Sequence, residues 1–391
     1  MTSNADPLFE GVRNSYQAMM AYYKLHGNPL DWVKKNVGSL QDWNAAANQG
    51  LPEAMILLGT CYLYGQGFKQ DYVQAMNWYK RAADLGNSDA MVKIGEMYLE
   101  GLGEAPDSIN ALMWFRRGAD LGNTDAMIHI GAMHFEGRGV NQDPVESVKW
   151  CQKAASLGNT RALVILGTFA SLVQNPSRAL IWYQKAADLG DPAAMRLIGM
   201  MFDQGLGVKQ DHGEAMQWYQ RAAELGNTDA MYAIGSMYHE GRGLALDYGQ
   251  ALSWYQKAAD LGNSTAMFAI GSMYHQGHGV KQDYSQSITW YQRAAELGNT
   301  QAMCILAVMH CGGTVVKRDY LTALRWFHTA ADRGDARAMV GLATMYDEGL
   351  GVNRDKAQAR RWYRMAIAAG YQPPLLLRLR LALTKWFLGE K

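Results

Sequence analysis

The chain is predicted to be all-α, a solenoid of tandem antiparallel helix pairs, and three observations predict it. Trp78, Trp114, Trp150, Trp182, Trp218, Trp254, Trp290, Trp326 and Trp362 recur every 36 residues, with one interval of 32. Gly86, Gly122, Gly158, Gly190, Gly226, Gly262, Gly298, Gly334 and Gly370 keep the same spacing. Around them runs one unit, A-M-x-x-[IL]-G-x-M-Y-x-x-G-x-G-V-x-x-D-x-x-x-A-x-x-W-Y-x-x-A-A-x-L-G-N. A period of roughly 20 to 50 residues marks a solenoid, propeller or array.

Spacing inside the unit selects helices. Ala90, Met91, Ile94, Gly95, Met97 and Tyr98 fall on one arc of a 3.6-residue helix, and Val92, Lys93, Glu96 and Glu100 on the other. This is helix A, broken by Gly101 and Gly103. Ala111, Trp114, Phe115, Gly118 and Ala119 then repeat the helical spacing as helix B. Asp71 with Gln74, Asp211 with Glu214, Asp247 with Gln250, Asp283 with Gln286 and Asp355 with Gln358 read as capping boxes that start helix B. Asp143 adds Pro144 at the first helical position. Gly86 and its equivalents stop helix B, because glycine takes a left-handed cap without a β-carbon clash. Asn87, Asn123 and Asp191 suit the cap of the next helix A. The helix A glycine and the Ala82-Ala83 type pairs allow close approach, with the Trp and Tyr of helix B filling the gap against neighbouring repeats.

Bulk properties exclude several classes. The formal net charge is +1, so no broad field draws the chain to nucleic acid or to an anionic membrane. Residues 1–14 lack the basic start, apolar stretch and small-residue cleavage site of a secretory signal. The longest apolar run, Leu375 to Leu388, is broken by Arg378, Arg380 and Lys385, which rules against membrane insertion. Cys61, Cys151, Cys304 and Cys311 follow no fixed interval and do not form a disulfide framework. A cytoplasmic chain is expected, a monomer or a dimer through its C-terminal helix.

The combination of A-M, L-G-x-M-Y, G-x-G-V, D-x-x-x-A and W-Y-x-x-A-A-x-x-G resembles the Sel-one-like repeat (SLR) proteins, solenoid relatives of the tetratricopeptide repeats, over nine units from Leu51 to Gly370. The resemblance implies a right-handed superhelix with helices A on its concave face, and adaptor or scaffold roles in protein complexes. Residues 51–370 are read as the repeats, residues 1–50 as an N-terminal helical cap with a degenerate half repeat, and residues 371–391 as a C-terminal capping helix using Leu377, Leu381 and Leu388. The pattern lapses twice. The fourth unit is shortened to Val173-Gln174-Asn175-Pro176, a change expected to alter curvature, and the eighth carries Gly312-Gly313 and Ala307 in place of the helix A glycine.

Packing positions must stay fixed from unit to unit, so the positions that vary are free to specify a ligand. Three rows on the opposite arc of helix A vary most. The first three units give an apolar floor, as in Ile56, Val92 and Ile128, and the fifth to seventh a mixed one. The predicted protein or peptide partner site is there: Arg196, Met200 and Asp203; Tyr232, Ser236 and His239; Phe268, Ser272 and His275. Arg and aromatic residues are enriched in interface hot spots, and the flanking Met, Asp and His side chains can set register. The alternative is that these side chains only pack against the neighbouring helix A.

His239 with His275, or Cys304 with Cys311, do not complete a metal site: no CxxC or HExxH occurs. The G-x-G turns lack the G-x-x-x-x-G-K-[ST] of a phosphate loop and read as chain reversals. Recurrent acids such as Asp71 and Asp211 read as helix caps rather than as paired catalytic carboxylates. No catalytic residue and no cofactor is expected. The predicted function is a scaffold or adaptor; the alternative is a bacterial immunity or inhibitor protein that wraps a toxin or enzyme. A β-lactamase-like hydrolase is disfavoured, because the relatives linked to that role staple each repeat with a cysteine pair that this chain lacks.

Overall fold

The computed structural model describes residues 7–26, 28–313 and 315–372, and every regular element among them is helical. Two compact units divide the chain, one ending at Gly190 and the other starting at Asp191. The first holds α1 (Pro7–His26), α2 (Leu30–Asn36), α3 (Leu40–Asn48) and the A and B helices of four repeats: α4 (Pro52–Tyr64) with α5 (Tyr72–Asp84), α6 (Ser88–Glu100) with α7 (Ser108–Asp120), α8 (Thr124–Glu136) with α9 (Pro144–Ser156), and α10 (Thr160–Leu172) with α11 (Pro176–Asp188). The second holds α12 (Pro192–Gln204) with α13 (His212–Glu224), α14 (Thr228–Glu240) with α15 (Tyr248–Asp260), α16 (Ser264–Gln276) with α17 (Tyr284–Glu296), α18 (Thr300–Gly312) with α19 (Tyr320–Asp332), and α20 (Ala336–Glu348) with α21 (Lys356–Ala368). Within each unit the two helices of a repeat pack first on each other, and helix B then packs on helix A of the next repeat. The C-terminal cap expected at 371–391 falls beyond the described residues after Gln372.

The caps follow from the sequence, with one correction. Gly86 stands at φ 83°, the Asn87 N–H reaches the Ala82 carbonyl (3.1 Å) and the Gly86 N–H the Ala83 carbonyl (2.9 Å), which closes helix B in a Schellman motif. Asp71 accepts from the Gln74 N–H (2.9 Å), as a capping box requires. The reciprocal half is replaced: the Asp71 N–H already donates to the Tyr62 carbonyl (3.0 Å) at the end of the preceding helix A, an arrangement repeated at Asp211 and Asp283. Asn123 works twice. Its Oδ1 caps α8 at the Ala126 N–H (3.0 Å), while its Nδ2 donates back to Asp89 (2.7 Å) and Ser88 (3.1 Å) of the unit before.

Close approach of the paired helices rests on glycine. A β-carbon at Gly95 would stand 2.5 Å from the Phe115 ring, and one at Gly235 2.6 Å from the Tyr255 ring. The residue in this slot is the one after the tryptophan, and Tyr79, Phe115 and Tyr255 are buried there. The tryptophans lie nearer the surface: Trp114 and Trp290 are buried and the other seven half-buried. In seven units a Lys or Arg three residues later covers the exposed ring face, as Arg81 does over Trp78 at 4.3 Å and Lys257 over Trp254 at 4.1 Å. Each such cation–π contact contributes about 0.5–1 kcal/mol at a partly exposed site. Where Ala307 replaces the glycine, Phe327 seats instead on Gly341 of α20, a residue of the following helix A. The missing slot is thus supplied one unit further on.

The shortened fourth unit ends α10 without a glycine. Gln174 takes φ 56° in its place, the sole positive-φ residue other than glycine among those described. Asn175 then caps α11 at the Arg178 N–H (3.1 Å).

Candidate binding face on the A helices

The nine predicted site residues stand on α12, α14 and α16, at offsets of four and seven along each helix, and all lie in the second compact unit. Eight are half-buried and Asp203 is buried.

The first row leans on the buried aromatics beneath it. Tyr232 stacks on Tyr255 (ring centroids 5.4 Å, 28°) and Phe268 meets Tyr291 (5.4 Å, 38°), while Arg196 lies close enough to Tyr219 for its charge to act on that phenol. Burial pushes the phenols of Tyr219, Tyr255 and Tyr291 up, so they stay neutral hydrogen-bonding groups. In the middle row Met200 packs on the core, Ser236 donates to Glu240 (3.0 Å) and hydrogen-bonds with Tyr255, and Ser272 hydrogen-bonds with Tyr291.

The third row is joined to side chains that the sequence reading missed. The Asp203 carboxylate accepts from His212 Nδ1 (2.9 Å) and pairs with Arg242, which also binds Glu240 (2.9 Å) and donates to Ser236 (3.1 Å). At the same place one unit later, His239 Nε2 faces His278 Nδ1 at 3.4 Å, with Tyr248 stacked on His278 (4.7 Å, 14°). His275 meets Tyr284 edge-on at 5.2 Å. Arg242 and His278 are the middle residues of consecutive G-x-G turns, 39 residues after Asp203 and His239. That constant offset is the signal that finds them. Each turn therefore reaches back to the preceding helix A, through an ion pair at Asp203 and an imidazole pair at His239. Burial and then His278 hold the His239 imidazole below its ordinary value.

In the first unit the corresponding face is covered. α1 runs over α4, with Val12, Tyr16 and Met19 buried in one cluster with Ile56 and Leu63. The Tyr16 hydroxyl donates to Asp89 and the Tyr23 hydroxyl to Glu96 (3.5 Å), both on α6. Glu96 also takes Lys93 (2.7 Å) and His129 (3.3 Å), and the Lys93 ammonium sits 4.2 Å over the Tyr23 ring. Burial alone would raise the Glu96 carboxyl, but Lys93 and then His129 hold it down at about 2.

Among the described residues no group of three or more His, Cys, Asp or Glu is placed to hold a metal ion. Burial pushes the thiols of Cys61 and Cys304 up to about 12 and that of Cys151 to about 11, which suppresses the nucleophilic thiolate. No described helix is long and apolar enough to cross a membrane.

Known proteins place this architecture. A Sel1 repeat protein from Oxalobacter formigenes is 30% identical, with 80% of this chain and 92% of that chain covered at a TM-score of 0.54. A protective antigen of uropathogenic Escherichia coli strains, displaying an SLR fold, is 29% identical, with 84% and 79% covered at 0.51. An immunity protein from Pseudomonas aeruginosa is 21% identical, with 54% and 81% covered at 0.41. No curated protein matches the chain. The Sel1 repeat profile matches residues 52–87, 88–123, 124–159, 166–191, 192–227, 228–263, 264–299, 300–335 and 336–371, and with these nine repeats the chain belongs to the Sel1 repeat family.

Proposed function

We propose that this chain is a protein-interaction scaffold that takes a protein or peptide partner on the A-helix face of α12, α14 and α16. The carrying observation is the state of the first row: Tyr232 and Phe268 are half-buried, and each is backed by a buried tyrosine. Such aromatics offer contact area while their rotamers are already fixed, so little side-chain entropy is lost on binding. Arg196, Tyr232 and Phe268 serve as anchors, with Met200, Ser236 and Ser272 as the floor between them. Asp203 acts from below, since its oxygens are engaged by His212 and Arg242, and His239 and His275 form the edge. The role is binding rather than catalysis. Four free cysteines with raised thiol values fit a reducing cytoplasm, where we place the protein as a monomer.

The test compares affinity capture from the native host by the wild type and by the Tyr232→Ala/Phe268→Ala double variant. Loss of two anchors is expected to weaken capture about 100-fold or more, with the helical circular dichroism signal retained. Equal capture by both proteins overturns the assignment.

A further inference from the structure

A cavity on the A helices of the first compact unit carries an inference that does not depend on the site just proposed. It has a volume of about 380 Å³ and is bounded by side chains of α1, α4, α5, α6 and α8. That is the lower end of the range for ligand pockets, roughly 300–1,000 Å³. Three half-buried phenols wall it: Tyr23 of α1, Tyr64 of α4 and Tyr72 of α5. Its charged lining comes from one stripe of α6, Lys93, Glu96 and Glu100, together with His129 of α8.

Which ligand suits the cavity follows from which of these groups are already engaged. Both oxygens of Glu96 are taken: Oε2 by the Lys93 ammonium (2.7 Å), and Oε1 by His129 (3.3 Å) and the Tyr23 hydroxyl (3.5 Å). Lys93 is held a second time, with its ammonium 4.2 Å over the Tyr23 ring. Gln70 Nε2 donates to the Leu63 carbonyl (2.8 Å) and to the Tyr72 hydroxyl (3.1 Å), which fixes the Tyr72 wall. Glu100 differs. It is exposed, pairs with no cation among the described residues, and lies close enough to Tyr64 for its charge to act on that phenol. With His129 counted as neutral, Lys93 cancels Glu96 and Glu100 leaves the lining one negative charge in excess. Glu100 stands seven residues beyond Lys93, about 10 Å along α6, so the buried ammonium opposes a cation there only weakly. An anion fits poorly, because it would meet two carboxylates while the lysine is already given to Glu96.

We propose that this cavity takes an arginine side chain of a partner protein, its guanidinium paired with Glu100 and lying against the Tyr64 ring. The walls select arginine over lysine: a flat guanidinium stacks on aromatic rings and meets a carboxylate through two N–H groups. The alkyl stem passes Leu102 in the same lining. The side chain comes from a segment laid across the A helices, since Glu100 opens to solvent and Leu63 and Glu96 of the lining belong to the variable rows of that face. α1 stays in place, because its Tyr23 is one of the walls.

The test is an NMR titration of the full chain with N-acetyl-arginine methylamide, whose affinity is expected on the order of millimolar. Shifts should centre on Tyr64, Glu100 and Leu102. The citrulline analogue, with the same shape and no charge, should bind at least tenfold more weakly, and the glutamate analogue more weakly still. Glu100→Gln should lower the arginine affinity at least tenfold, and Glu100→Asp should keep part of it. Amide exchange in α6 should match the wild type in both variants, since Glu100 is exposed and unpaired; this separates a lost ligand contact from a lost fold. Equal affinity for arginine and citrulline, equal affinity of the wild type and Glu100→Gln, or no shifts well above millimolar concentration overturns the proposal. Binding of agmatine at least tenfold tighter than the arginine probe would make the occupant a free small cation and also overturn the partner side chain. The Tyr232→Ala/Phe268→Ala chain should bind the arginine probe as the wild type does, so the two sites can fail separately.

Discussion

The floor on α4 and the floor on α14 and α16 come from the same positions of one repeat, and they behave differently. On α4 the first-row residue is Ile56, sealed under α1; on α16 it is Phe268, half-exposed over Tyr291. The pairs below are built alike: Tyr79 fills the slot at Gly59 and Tyr291 the slot at Gly271. The repeat thus separates two tasks. Its fixed positions make the pair, and its variable arc is free to receive either another part of the chain or another molecule.

The largest effect should come from equivalent truncations on the two floors. Ile56→Ala removes a fully buried side chain and is expected to cost about 2–5 kcal/mol. Phe268→Ala removes a half-buried one and should cost about 1–2 kcal/mol. Because a repeat array does not unfold as one two-state body, amide exchange in α4 and in α16 is the measurement. A larger loss at α16 than at α4 would break the comparison.

Much of this was legible in the sequence because it recurs. Nine copies of one pattern expose the helix pairs, the left-handed stop at Gly86 and the three variable rows. Features that occur once were hidden. Tyr16 and Asp89 are 73 residues apart, and no periodicity announces a helix lying over another pair's face. The ties from Arg242 to Asp203 and from His278 to His239 were readable in principle, since both span 39 residues, but their chemistries differ and residue type alone does not link them. Phe327 turning to Gly341 was hidden for another reason: the compensating glycine sits two residues before Ala343, which occupies the regular position. The capping boxes were half right, because sequence shows the acceptor at Asp71 but not that its N–H is already used by Tyr62.

If the two regions share one core and differ only on the floor, a change in the glycine slot should not distinguish them. Gly95→Ala drives a methyl group into Phe115 and Gly235→Ala drives one into Tyr255, at nearly equal separations of 2.5 and 2.6 Å. Each should cost about 1–3 kcal/mol by overpacking. The matched pair of variants is read by exchange in α6 and in α14. A cost at Gly95 greatly above that at Gly235 would mean that α1 depends on the spacing of the pair below it, and the separation of core from floor would fail.

Acid should distinguish the floors as well, by about 1.4 kcal/mol for each unit of pKa displacement. Glu96 lies below its ordinary 4.5, so the stability it contributes is complete above that value and is lost as pH falls toward about 2. His239 lies below its ordinary 6.5, and its neutral form is the one the fold favours, so its contribution is complete above 6.5 and declines as pH falls below it. The groups facing His239 are His278 and Tyr248, with Tyr255 beneath and Glu240 beside it. Protonation places a cation against His278 that neither tyrosine can neutralise and Glu240 only partly offsets. The tie between the turn at His278 and the end of α14 should therefore loosen as pH falls below 6.5, while the contact of α1 with α6 holds until below pH 4.5. Exchange of the α14 C-terminal amides and of the α1 amides, followed from pH 7 to pH 2 and corrected for intrinsic rates, measures both. Replacing His278 with Gln should abolish the first transition and leave the second in place; if both persist unchanged, the imidazole pair is not what joins those two repeats.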